Sequence, residues 1–200
     1  LSMLMKERDM FYGGRTEVFS PYVNVQFFPN MNIHYYDVCS LYPYVCAFKT
    51  LPTGTPEHIF GTRIQRERLV NLQHPNPYFG YVRCMVIPNR KCFLGLLPKR
   101  DPMTGRLEFP LTPMMGSWGT EELRIAIEQG YIIEDIYEVY HWNEENRSDK
   151  LLRGYVAFFL QMKQEAEGWK KMGASSEDPT YEEKLRIQEK VYQESGCIAR

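Results

Sequence analysis

The seven residues Asp37-Val38-Cys39-Ser40-Leu41-Tyr42-Pro43 constrain this chain more than any other stretch. They join an apolar, β-prone run, Asn32-Ile33-His34-Tyr35-Tyr36, to a segment that reads as a short helix over Ser40–Phe48 and stops before Pro52. Pro43 is tolerated there, because the first turn of a helix has no use for the missing N–H. The backbone must therefore pass from extended to helical within a few residues, with one carboxylate at the corner. Such a corner can present an acid, free backbone amides and an aromatic ring to a polyphosphate.

Punctuation residues divide the rest. Gly13-Gly14 permits positive φ or close backbone approach ahead of Thr16–Phe19. Val23–Phe28 and Asn32–Asp37 read as strands separated by a Pro29-Asn30 turn. Tyr78–Ile87 is a strand that returns through Asn89-Arg90-Lys91 into Cys92–Leu97, followed by a looser extension, Arg100–Phe109, with a turn at Met103-Thr104-Gly105. Thr120 caps a helix that carries Glu121 and Glu122 in its first turn and ends at Gly130. Tyr131–Trp142, aromatic and β-branched, returns as strand. Leu151–Glu167 is the clearest helix, with Leu151, Leu152, Tyr155, Phe158, Phe159 and Met162 at helical spacing. A linker-like stretch, Trp169–Pro179, leads to a second, more polar helix over Thr180–Glu194. The class is α+β: an antiparallel sheet with helices on one face, then a protruding helical piece.

Charge and cysteine usage exclude several classes. The net charge of −1 rules out a polycation, so any nucleic-acid contact must be local. Arg83–Arg106 supplies such a surface, with six basic residues against the single acid Asp101. Five cysteines without a CxxC pair argue against a disulfide framework or zinc site and for reduced thiols in an intracellular protein, nuclear or cytoplasmic. His34, His58, His74 and His141 are scattered and read as structural. No apolar run is long enough to span a membrane, and no signal-peptide pattern opens the chain. The chain begins on Leu1 and ends in a charged tail, so both ends look cut from something longer.

At the central corner, Mg²⁺ chemistry asks for one or two carboxylates plus phosphate and water oxygens. Asp37 can reach an ion while Val38 offers its carbonyl, and the amides of Ser40 and Leu41 can cradle phosphate oxygens. Composition alone favours plainer roles: a strand-end or capping acid at Asp37, core filling at Tyr42, a surface arginine at Arg15, and a core-bordering lysine at Lys163. Trp118 reads as a packing anchor rather than a base-stacking platform.

Three motifs resemble one family. Asp37–Pro43 is similar to the first polymerase motif of family B DNA polymerases, Asp-x-x-Ser-Leu-Tyr-Pro. Tyr12-Gly13-Gly14-Arg15 resembles the Tyr-x-Gly-Gly element of the protein-primed, organellar and viral subgroup. Lys163, in Phe159-Leu160-Gln161-Met162-Lys163, resembles the lysine that precedes that subgroup's second polymerase motif. Within the subgroup, the polymerases of virus-like transposons (Polinton or Maverick elements) look nearest.

The resemblance implies a palm-type sheet with packed helices and the start of a helical fingers subdomain. Residues 1–30 would bind template and enter the palm, 31–148 would form the palm, with a priming-protein-contacting insertion at about 89–140, and 149–200 would begin the fingers. It implies Asp37 as one of two catalytic, metal-binding aspartates and the Val38 carbonyl as a second metal ligand, with two Mg²⁺ ions in the intact enzyme. Ser40 and Leu41 would bind the triphosphate through their amides, Tyr42 would pack on the nucleotide sugar and exclude a 2′-hydroxyl, and Lys163 would touch the phosphates. Tyr12, Gly13, Gly14 and Arg15 would contact single-stranded template. The implied partners are DNA template and primer, deoxynucleoside triphosphates and a priming terminal protein, with no membrane.

The chain departs from the family pattern in lacking the Lys…Asn-Ser-x-Tyr-Gly motif, the Asp-Thr-Asp motif and the exonuclease acids. The reading is therefore a piece of a DNA-directed DNA polymerase, a nucleotidyltransferase acting in DNA replication, inactive by itself. The alternatives are a non-catalytic nucleic-acid-binding or replication-complex module derived from such an enzyme, and a structural α+β protein with a chance motif.

Overall fold

Val82, Cys84 and Val86 alternate along one strand and are fully buried, the pattern of a strand with one face in the core. That strand is the centre of the larger of two compact units, Leu1–Asn32 with Pro52–Asn146; the other comprises Ile33–Leu51 with Arg147–Arg200. The computed structural model describes residues 4–27, 30, 32–38 and 40–167. The expected linker at Trp169–Pro179 and helix at Thr180–Glu194 lie outside the described residues.

In chain order the elements are α1 (Leu41–Phe48), β1 (Leu51–Pro52), β2 (Glu57–Phe60), α2 (Glu67–Val70), β3 (Gly80–Ile87), β4 (Lys99–Arg100), β5 (Leu107–Glu108), β6 (Met114–Gly119), α3 (Thr120–Glu128), β7 (Ile132–His141), β8 (Arg147–Ser148) and α4 (Arg153–Glu167). The class is α+β, with antiparallel sheets and packed helices consistent with a palm-like polymerase core. The main sheet has the order β2-β7-β3-β6. The register explains its core: Val82 faces Trp118 and Val139, Cys84 faces Gly116 and Ile136, and Val86 faces Met114 and Ile133. Leu123 and Ala126 of α3 belong to the same apolar cluster.

Gly116 is required beneath Trp118, since a Cβ there would lie 2.5 Å from the indole ring. The indole Nε1 donates to the Pro98 carbonyl at 2.8 Å, so the ring is buried without an orphan donor. Trp118 is a packing anchor, in accord with the sequence reading. Burial pushes the Cys84 thiol up to about 12, which leaves it protonated and unreactive at neutral pH.

The opposite face of the sheet is covered by the segment Met5–Tyr12. Met5 and Met10 are buried. The Met5 amide donates to Glu138 Oε2 at 2.7 Å, and His58 Nε2 lies 2.6 Å from Glu138 Oε1. Both carboxyl oxygens of this buried side chain thus have a partner. Phe11 meets Tyr81 edge to face at 5.7 Å. The segment is thus seated before it reaches Gly13-Gly14.

Four expectations are corrected. Cys92–Leu97 is not a hairpin partner of β3, which pairs instead with β6 and β7. Pro98 and Gly95 suit irregular chain, and the Gly95 Cα abuts the Phe109 carbonyl so closely that a Cβ would sit 2.1 Å from it. The described part of the expected strand Val23–Phe28, residues 23–27, is not a strand: Val25–Phe27 forms a short 3₁₀ turn. Asn32–Asp37 makes no ladder with any described strand, and its apolar side chains Ile33, Tyr35 and Tyr36 are exposed. A β-prone run becomes a strand only when an edge is offered to it. Thr120 is the first residue of α3 rather than its cap; its hydroxyl accepts the Gly80 amide at 3.1 Å, while the Glu122 carboxylate accepts the Gly119 amide at 3.3 Å. Gly130, at φ 83°, ends the helix as expected.

β7 carries an unmatched residue at two places opposite β3, Tyr137 and Glu134. These bulges break its alternation. The second is held by Arg66, which donates to the Glu134 carbonyl at 2.8 Å and to the Ile133 carbonyl.

The smaller unit is helical. α1 packs against α4, with Ala47 and Ala157 buried. Arg153 Nε donates to the Ala47 carbonyl at 3.1 Å, and its guanidinium lies over the Phe48 ring at 5.7 Å. This one arginine satisfies a carbonyl at the C-terminus of α1, where a cation is favoured.

Candidate functional site

Asp37, Val38, Ser40, Leu41 and Tyr42 are placed together at the entry to α1 by one local feature. Ser40 has φ 53° and ψ 36°, and it is the sole non-glycine residue with positive φ among the described residues. A left-handed serine costs on the order of 1 kcal/mol. It achieves the turn from extended chain into helix that the sequence demanded. Tyr44 donates to the Ser40 carbonyl at 2.9 Å, so α1 begins there. The Ser40 side chain makes no capping hydrogen bond. As first-turn residues, Leu41 and Tyr42 have amides with no acceptor inside the helix, and Pro43 has no N–H to satisfy.

Asp37 is exposed, with no hydrogen bond or ion pair among the described residues. Val38 and Tyr42 are exposed too. Lys163 lies on α4, ten residues beyond Arg153 and so about 15 Å further along the helix; it is exposed, and its ammonium has no ion-pair partner among the described side chains. The corner and the lysine thus share the helical unit. An exposed, uncommitted carboxylate suits one end of a Mg²⁺ site, which needs only one or two carboxylates. Among the described residues no group of three or more His, Cys, Asp or Glu could hold a metal. Asp37 is exposed and stands outside any such group.

The second cluster lies in the sheet unit. Gly13 and Gly14 have open space where a side chain would be. They border a groove of about 670 Å³, walled on the other side by Arg100, Leu107, Glu108 and Phe109. Tyr12 is half-buried, and burial pushes its phenol above the usual value, so it is neutral at physiological pH. Arg100 Nη2 donates to the Phe11 carbonyl at 3.1 Å and its guanidinium lies 5.8 Å from the Tyr12 ring centroid. The β4–β5 hairpin is closed by Asp101, whose carboxylate accepts from Thr104 Oγ1 at 2.5 Å and from the Met103 amide at 3.0 Å. Those bonds hold its carboxyl below the ordinary value. The one acid of the basic stretch is thus spent on its own turn.

Sequence reasoning named Tyr12–Arg15 but missed their partners Glu17, Gly95, Arg100 and Phe109. Glu17 is only two residues from Arg15, whereas Gly95, Arg100 and Phe109 lie eighty or more residues away and leave no periodic trace; the sole hint of these was the Gly105 turn that makes Arg100 and Phe109 flank a hairpin. His141 and His58 are structural, as expected: the His141 ring nitrogens lie 3.1 Å from the Phe79 amide and 2.8 Å from Arg68 Nη2. Among the described residues no helix is long and apolar enough to cross a membrane.

Residues 2–175 match the family described as DNA polymerase type B, organellar and viral. The chain is 32% identical over 171 residues to a probable DNA polymerase of Podospora anserina, and 30% identical over 144 residues to one of Neurospora intermedia. These alignments cover 86% and 71% of this chain but 12% and 14% of the relatives, so the chain spans about an eighth of their length. No solved structure matches it. With the Asp37 corner, the Gly13-Gly14 segment and the Lys163 helix all inside the matched span, the chain belongs to the organellar and viral type B DNA polymerase family.

Proposed function

We propose that this chain is the portion of a DNA-directed DNA polymerase that carries the first catalytic aspartate, and that the intact enzyme performs template-directed nucleotidyl transfer. The observation that carries the reading is the left-handed Ser40 at the uncapped start of α1, three residues after the exposed Asp37. Strain at a position with no packing role is a mark of function.

Asp37 and the Val38 carbonyl would hold Mg²⁺, which offsets charge developing on a transferring phosphoryl group. The amides at the start of α1 cradle phosphate oxygens, with Ser40 and Leu41 as the binding residues. Lys163 adds a cation on the triphosphate from a helix that begins the fingers. Tyr42, exposed at the corner, lies under the nucleotide sugar and leaves no room for a 2′-hydroxyl. Tyr12–Arg15 and the adjoining groove take the single-stranded template. One carboxylate of the catalytic pair is supplied by chain other than residues 1–200, which alone are inactive. The protein-primed mode, with about residues 89–140 contacting a terminal protein, is part of the same reading.

The nucleotide site is tested at Tyr42. In the full-length protein, Tyr42→Ala raises ribonucleotide incorporation relative to deoxyribonucleotide by on the order of a hundredfold, measured by single-nucleotide extension. Unchanged sugar discrimination would remove Tyr42 from the site.

A further inference from the structure

Arg15 is not free to meet a phosphate. Its Nη1 donates to the Gly95 carbonyl at 2.7 Å, its Nε donates to Glu17 Oε2 at 2.7 Å, and its guanidinium lies 4.4 Å from the centroid of Phe109. The Glu17 carboxylate pairs with Nη2 as well. The planar fork is thus used on two edges and one face, and its charge is offset by an adjacent carboxylate. A cation so placed is a poor electrostatic contact for DNA and a good clamp, because a guanidinium satisfies several acceptors in one plane.

What it clamps is informative. At Gly13 and Gly14, immediately before it, nothing lies within 4 Å of where a Cβ would sit, so no side-chain position there is packed against the rest of the unit. Upstream, the chain is seated on the sheet through Met5, Met10 and Phe11. Downstream, the Arg15 contacts to Gly95 and Phe109 are the next attachment to the rest of the unit. Gly95 in turn lies against the Phe109 carbonyl too closely for any side chain. The two glycines are therefore a backbone span fixed at both ends, one wall of the groove.

We propose that Arg15 is a positioning residue: through Gly95, Glu17 and Phe109 it holds Gly13-Gly14 as an ordered wall of the template groove, and it does not itself neutralise a DNA phosphate. The DNA part of this inference rests on the template-binding reading above; the ordering part does not.

The test uses the full-length protein with Arg15→Ala, Arg15→Lys and Phe109→Ala. Affinity for a mixed-sequence single-stranded oligodeoxynucleotide is followed by fluorescence anisotropy over a series of salt concentrations, and amide hydrogen exchange is followed across residues 13–17. A positioning role predicts that all three variants weaken binding roughly tenfold, leave the slope of log affinity against log salt unchanged, and speed exchange at Gly13 and Gly14. Lysine does not rescue, because it keeps the charge and loses the fork. A phosphate contact predicts the reverse: Arg15→Ala lowers the slope by about 0.7, Arg15→Lys restores it, and Phe109→Ala is neutral. That pattern overturns the inference and leaves template binding standing. Wild-type protein that binds no single-stranded DNA, with exchange still accelerated in the variants, overturns the template reading while the clamp survives. Unaltered exchange in all three variants overturns the clamp.

Discussion

Asp37→Ala in the full-length protein lowers primer extension by at least about a thousandfold, equivalent to about 4 kcal/mol of transition-state stabilisation, while affinity for primer–template stays within about twofold. The large effect follows from the position of the carboxylate. Asp37 has no intramolecular partner among the described residues, so its removal leaves no buried group unpaired and costs the fold little. What it loses is the negative charge that would fix a metal at the reacting phosphate. Binding is spared because affinity for a nucleic-acid backbone is spread over many cations. Single-turnover incorporation separates this from a binding defect: the maximal rate collapses and the DNA dissociation constant does not. Rates unchanged from wild type would reduce Asp37 to an exposed acid at a turn.

Trp118→Ala acts on the other link, from packing to stability. The ring lies in register with Val82, over Gly116, and its Nε1 is satisfied by the Pro98 carbonyl. Truncation empties the middle of the sheet core and orphans that carbonyl, at a cost of about 3–5 kcal/mol. The thermal transition of the sheet unit should fall by on the order of 10 °C, and amide exchange across β3 and β6 should accelerate. Single-stranded DNA binding by the remaining folded protein should be normal. Were Trp118 a base-stacking platform, the variant would keep its melting temperature and lose binding by about 1–3 kcal/mol.

The legible parts of the fold were those set by local rules. α3 and its Gly130 stop, α4 and β3 follow from periodicity and punctuation, β7 follows from its aromatic and β-branched composition, and the corner at Asp37–Pro43 marked both the start of α1 and the family resemblance. Pairing was not legible. The sequence placed Cys92–Leu97 beside β3 because it comes next; the actual partners, β6 and β7, are chosen by cross-strand packing of Val82, Trp118 and Val139. Asn32–Asp37 had the composition of a strand, but among the described residues no edge receives it. The bulges at Tyr137 and Glu134 hide the alternation of β7, and the one at Glu134 is held by Arg66, far away in sequence. In the candidate sites, residues contiguous in sequence were found and residues brought in by the fold were not. Arg15 shows the difference: beside two glycines it reads as a free cation, and only its contacts to Gly95, Glu17 and Phe109 reveal it as engaged.

The central claim, that this chain holds half of a polymerase metal site, is met most directly by templated primer extension in Mg²⁺, comparing the full-length protein with residues 1–200 alone. The account predicts that the full-length protein adds only the deoxynucleotide complementary to the template, that chelation of divalent cations stops it, and that residues 1–200 add none. Absence of templated addition by the full-length protein, addition that persists after chelation, or extension by residues 1–200 alone would contradict it.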